Sequence, residues 1–222
     1  MKIIDIPQSG KIGNQVAMPG RYGQVRRIWV APANPRSPDQ LTIRGNLAAS
    51  ARGFDALTPA QQTAWRSAAA TVTSKPRLGQ SGPLTGLQLF TKINCTLAML
   101  GQDPVTDPPA PANVPAPAPD ALQVSNVSGV VSIKLTCPTS PGAGTLVRAA
   151  APQKSGVNRL PSLRLLGTCP APVTGASDIT GLFTAKFGAP IEGQRLFVEV
   201  QSTANGWQGP TKVFSALVPA AS

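Results

Sequence analysis

The run from Gln102 to Asp120, QDPVTDPPAPANVPAPAPD, has prolines at 104, 108, 109, 111, 115, 117 and 119. Each proline fixes φ and lacks an amide donor, so neither a helix interior nor a central strand can pass through this stretch. The backbone it favours is an extended, semi-rigid strap at roughly 3.1 Å per residue. It divides the chain into three parts: 1–101, a linker at 102–119, and 120–222. Each flank holds about 100 residues, enough for a modest core without a disulfide or metal staple. Composition leaves open whether the strap hangs free or lies ordered along a neighbour.

The first part is punctuated for helices. Ser37-Pro38-Asp39-Gln40, Thr58-Pro59-Ala60-Gln61 and Thr85-Gly86-Leu87-Gln88 each fit the capping box, a Ser/Thr cap answered by Gln three residues on. Two of them place proline at the first helical position, where its missing donor costs nothing. Helices are expected over about 38–54, 59–72 and 86–100. The third is the most apolar, with Leu89, Phe90, Ile93, Leu97 and Leu100 at helical spacing. Leu87 and Met99 fall off that stripe, which predicts cover on more than one side. Ahead of the helices, 11–18 and 22–31 flank Pro19-Gly20-Arg21 and read as the two arms of a β-hairpin. In the second arm Val25, Arg27, Trp29 and Ala31 share one face, and Tyr22, Gln24, Arg26, Ile28 and Val30 the other. Both faces mix apolar and basic groups. That pattern suits a ribbon clamped between two surfaces, or an edge hairpin whose arginines oppose aggregation.

Charge follows the same division. Residues 1–101 hold twelve Lys or Arg against three acids, a balance of +9, whereas 102–222 hold eight against six, only +2. A one-sided positive balance predicts an anionic partner: nucleic acid, an acidic protein face or a membrane surface. The candidate assembly or phosphate contacts are Arg21, Tyr22, Arg26, Arg27, Trp29 and Arg36. The basic loop 73–84 has glycines but no Lys-Ser/Thr of a phosphate cradle. The second helix offers only Gln61, Gln62 and Arg66 as base readers, a poor recognition helix.

The first part resembles a group of bacterial and phage-encoded structural-type proteins with a proline-rich joint and a β-rich tail. Tyr22-Gly23-Gln24-Val25, Pro32 through Gln40 and Leu57 through Trp65 carry the resemblance. It implies a structural protein of a phage or mobile element and brings no activity or binding residues.

After Asp120 the pattern turns to period two. Strands are expected at 121–127, 130–136, 144–150, 162–167, 194–202 and 211–218, with turns at Ser128-Gly129, Pro141-Gly142, Gly193 and Asn205-Gly206. Residues 178–187 fit a strand or a short helix. Short strands at this spacing predict an antiparallel β-sandwich. The closing order of strand, Asn-Gly turn, Trp207 and final strand resembles a fibronectin type III or immunoglobulin-like module. The fold class expected is therefore α+β in two parts: a β-hairpin with a three-helix unit, the proline-rich linker, and a C-terminal sandwich of that kind.

Chemistry is harder to find. The chain has no histidine, and its three cysteines form no CxxC pair, which excludes zinc sites of the usual spacing. Cys95 falls in an apolar helix pattern. Cys137 and Cys169 each sit in a Thr-Cys-Pro triplet at a strand end, and are either a disulfide or two free thiols. No nucleophile stands beside a base and no carboxylates are paired, so no enzyme, cofactor or metal is expected. The apolar start is broken at Asp5, too short for a secretory signal, and nothing approaches a membrane span. The expected role is a non-enzymatic subunit of a phage virion (head, neck or tail), made in the host cytoplasm. Its expected partners are its own copies and other proteins of the same particle. The alternative is a nucleic-acid-binding protein that uses the basic first part for non-specific phosphate contacts.

Overall fold

A computed structural model describes residues 9–20, 23–31, 34, 36–74, 81–138 and 144–221. The chain is α+β, with four helices and three antiparallel sheets among these residues. Its contacts divide it into two compact units, 1–42 and 43–222. The turn expected at Pro141-Gly142 and the middle of the basic loop, 75–80, lie outside the described residues.

In the first unit β1 (Gly10–Ile12), β2 (Gln15–Gly20) and β3 (Gly23–Ile28) form a three-stranded ribbon in sequence order. The expected first arm is therefore a hairpin in its own right, turned at Gly13-Asn14. Gly13 takes φ 58°, a left-handed backbone that is free of strain only without a Cβ. β2 runs through Pro19 and pairs Gly20 with Gly23. Arg21 and Tyr22, between them, lie outside the described residues.

α1 (Pro38–Asp55), α2 (Pro59–Ala70) and α3 (Gly86–Met99) match the expected helices closely. Thr58 and Thr85 complete both halves of their capping boxes. At Ser37 only the forward half is seen: the Gln40 amide donates to Ser37 Oγ at 3.4 Å, while Gln40 Oε1 is buried without a partner among the described residues. The helical core gathers Phe54, Trp65, Ala69, Leu89, Phe90, Ile93 and Leu97. Phe90 meets Phe54 and Trp65 edge-on, at 5.5 and 5.1 Å between centroids, contacts that add about 1 kcal/mol each beyond burial. Leu87 is exposed, so the expected cover does not reach that side of α3.

The C-terminal part holds β4 (Ala121–Val127), β5 (Val130–Thr136), β6 (Thr145–Ala149), β7 (Arg164–Thr168), β8 (Ala176–Asp178), α4 (Thr180–Phe187), β9 (Arg195–Ala204) and β10 (Trp207–Leu217). They form sheets in the orders β4-β5-β8 and β10-β9-β6-β7. Ile133 and Leu135 of the first sheet and Val147, Leu196, Val198 and Val200 of the second share one core with Phe183 of α4. The open alternative at 178–187 resolves as a helix. Asp178 Oδ1 accepts the Thr180 amide at 2.8 Å, and Thr180 Oγ1 accepts the Ile133 amide at 2.8 Å. The turns at Ser128-Gly129 and Asn205-Gly206 have positive φ at both residues, the hairpin geometry that matches strand twist. Pro210, unable to donate, sits where the β9–β10 register shifts on the edge strand.

The proline-rich strap contains no helix or strand, and it is tied down along its length. Asn94 on α3 brackets Val105, accepting its amide at 2.8 Å and donating to its carbonyl at 3.2 Å. The indoles of Trp65 and Trp207 donate to the carbonyls of Thr106 (2.7 Å) and Pro109 (3.3 Å). Farther on, Pro117 and Pro119 are buried, and Lys212 Nζ donates to the Pro119 carbonyl and to Asp120. The β9–β10 turn meets α3 directly. Trp207 packs on the helical core, and Gln208 Nε2 donates to Thr96 Oγ1 at 3.0 Å.

Candidate interaction surface

The ribbon's register decides which of the basic and aromatic residues stand together. Val25 pairs with Met18, Arg27 with Val16, and Val16 with Lys11, so Lys11, Val16, Met18, Val25 and Arg27 share a face. Trp29 continues that alternation. Its amide donates to the Asn14 carbonyl at 2.8 Å, which carries the backbone pairing past the end of β3. Lys11 Nζ lies 3.8 Å from the Trp29 ring centroid, a cation–π contact on an indole that is 44% exposed.

On the opposite face Ile12, Gln15, Ala17 and Arg26 line a recess of about 100 Å³. Ala17 is the one buried apolar side chain among the ribbon's described residues, while Ile12, Met18, Val25 and Ile28 are exposed, Ile28 at 68%. A small antiparallel sheet is ordinarily stable only when one apolar face is covered. This one exposes apolar side chains on both, with the cations Lys11 and Arg27 exposed on one face and Arg26 half-buried on the other.

The structure thus joins Arg27 and Trp29, places Arg26 on the other face, and sets Arg36 beyond the ribbon at the entry to α1. Arg36 is exposed and takes a left-handed φ of 47°. Lys11, Val16 and Met18 were missed by sequence reasoning. Gly-Asn between alternating residues is a hairpin signal that would have placed Lys11 opposite Val16.

A second apolar surface lies in the 43–222 unit. α1 buries only Ser50 and Phe54, and Ile43 and Leu47 stay exposed. Leu47 and Ala51 of α1 face Leu87, Gln88, Thr91 and Lys92 of α3 across a groove of about 410 Å³. Among the described residues no cluster of His, Cys, Asp and Glu could hold a metal, and no helix is long and apolar enough to cross a membrane. Comparison with protein-family models, curated protein sequences and solved structures finds no significant match to this chain.

Proposed function

We propose that this chain is a non-enzymatic structural subunit of a large protein assembly, a component of a phage particle in its head, neck or tail. The observation that carries this reading is the ribbon. Val25, Arg27 and Trp29 on one face and Ile12 and Ile28 on the other are exposed together, on a sheet with one buried apolar side chain among its described residues. Such a sheet gains its stability by being covered, and further copies of the chain or other proteins of the same particle supply the cover.

The C-terminal part serves as an immunoglobulin- or fibronectin type III-like sandwich. Among the described residues, seven strands in a three-stranded and a four-stranded antiparallel sheet, with inner side chains in one core, support that reading. In this proposal 1–101 makes the contacts, 102–119 is a linker bound along both the helices and the C-terminal sheets, and 120–222 braces or decorates. The test is the assembly state of the full chain. It should sediment as a defined oligomer, or be present at stoichiometric copy number in purified particles. Val25→Ser with Trp29→Ser should shift the oligomer to monomer. A wild-type chain that is strictly monomeric and absent from particles overturns the proposal.

A second reading is favoured by one juxtaposition: Lys11, Arg27 and Trp29 share a face, cations beside an exposed aromatic ring. That combination suits phosphate contact with base stacking on nucleic acid. In that case the full chain binds DNA or RNA with a steep salt dependence, and Lys11→Ala or Arg27→Ala lowers the slope by about one each. Absence of binding at about 50 mM salt rules it out.

A further inference from the structure

Two cysteines far apart in sequence meet in the C-terminal core. Cys137 directly follows β5 and Cys169 directly follows β7, so they belong to different sheets, yet both pack in the same apolar cluster. Ser177 of β8 joins them. Its Oγ lies 3.4 Å from Cys137 Sγ and donates to the Pro170 carbonyl at 2.8 Å. One hydroxyl, that of Ser177, thus bonds both the Cys137 sulfur and the carbonyl of Pro170, the residue that follows Cys169. Both backbones are anchored, Cys137 N–H to the Gly175 carbonyl at 2.8 Å and Cys169 N–H to the Thr145 carbonyl at 2.7 Å. The proline after each cysteine further restricts its backbone to extended conformations. Cys95 sits apart, on α3 in the helical unit, with its sulfur 3.6 Å from Ser50 Oγ.

We propose that Cys137 and Cys169 form a reversible modification site, a dithiol that a low-molecular-weight disulfide such as oxidised glutathione converts into a disulfide between the two sheets. Cys169 is the more exposed of the two and reacts first. Its thiolate displaces one glutathione thiolate from the reagent and forms a mixed disulfide. The Cys137 sulfur, losing its proton, then attacks the Cys169 sulfur and releases the second glutathione. Two protein thiols are oxidised, one glutathione disulfide is reduced, and the two protons pass to the departing thiolates. Burial, with the nearby Cys137 adding to it, raises the Cys169 thiol above its usual range against the opposing pull of the Ser177 hydrogen bond. The reactive thiolate is therefore scarce at neutral pH, and the exchange is slow.

The full chain is equilibrated with oxidised glutathione, quenched in acid, unfolded, alkylated and weighed. The expected product is two hydrogen atoms lighter than the reduced chain before alkylation, takes alkyl only at Cys95, and yields a peptide linking Cys137 to Cys169. Closing the loop between them should raise the thermal midpoint by roughly 5–15 °C, a gain that dithiothreitol removes. Cys95→Ser should give the same Cys137–Cys169 link and take no alkyl at all, which keeps the test clear of any folding defect at Cys137 or Cys169. Three alkylated thiols, a glutathione adduct that persists on Cys169, or a link through Cys95 would each overturn the proposal.

Discussion

Gly206 shows how closely two parts of the chain are fitted. It sits at φ 80° in the β9–β10 turn, and a Cβ there would lie 2.5 Å from Ile93 Cγ2 and 3.0 Å from the Ile93 carbonyl oxygen. Gly129, in the β4–β5 turn, has a similar φ of 82° with nothing within 4 Å of a Cβ. Gly206→Ala should therefore cost about 3 kcal/mol, strain plus overpacking, and Gly129→Ala only about 1 kcal/mol of strain. Urea unfolding of both variants checks the difference, and equal losses would show that the contact with α3 is unimportant. Asp178 illustrates a different local effect. Hydrogen bonds from the Thr180 side chain and amide hold its carboxyl below the usual carboxylate range. Because the folded value is depressed, the contribution is full above the unfolded value of about 3.9 and fades as pH falls through the folded one. Asp178→Ala should cost about 1 kcal/mol or less at pH 7, given its exposure. The gap from wild type should close in acid, as followed by denaturation at a series of pH values.

At the scale of elements, the strap has a measurable attachment. The Val105 amide donates to Asn94 Oδ1, so its hydrogen exchange reports on whether the strap is docked. Asn94→Ala should accelerate exchange at Val105 roughly tenfold, the equivalent of about 1.4 kcal/mol of local stability. Trp65→Phe keeps an aromatic ring against Phe90 but removes the donor to the Thr106 carbonyl. It should cost about 2 kcal/mol from the lost bond and the smaller ring. The capping boxes at Thr58 and Thr85 were legible because each is closed by residues within four positions of one another. β8 was not legible. Three residues, Ala-Ser-Asp, carry no period, and they become a strand because Lys134, Leu135 and Thr136 present an open edge to pair with.

At the scale of the molecule, the helices, the strap and the C-terminal sheets share the 43–222 unit. With Trp207 in the helical core and the strap bonded on both sides, residues 43–222 should unfold in one cooperative transition. Calorimetry checks this by comparing calorimetric and van't Hoff enthalpies. Two separable transitions would show that α3 and the β9–β10 turn are not energetically coupled.

The helices, most of the strands, the basic asymmetry and the irregular backbone from Gln102 to Asp120 are legible from the residues alone. All of these rest on local physics: caps, periodicity, charge, and the missing amide of proline. Where the strap lies is set by contacts distant in the chain, because Asn94, Trp65 and Trp207 reach it from 11, 41 and 98 positions away. The same holds for Arg27, Trp29 and Lys11, which share a face through strand register. It holds too for Cys137 and Cys169, which reach one apolar cluster because residues of both sheets share it.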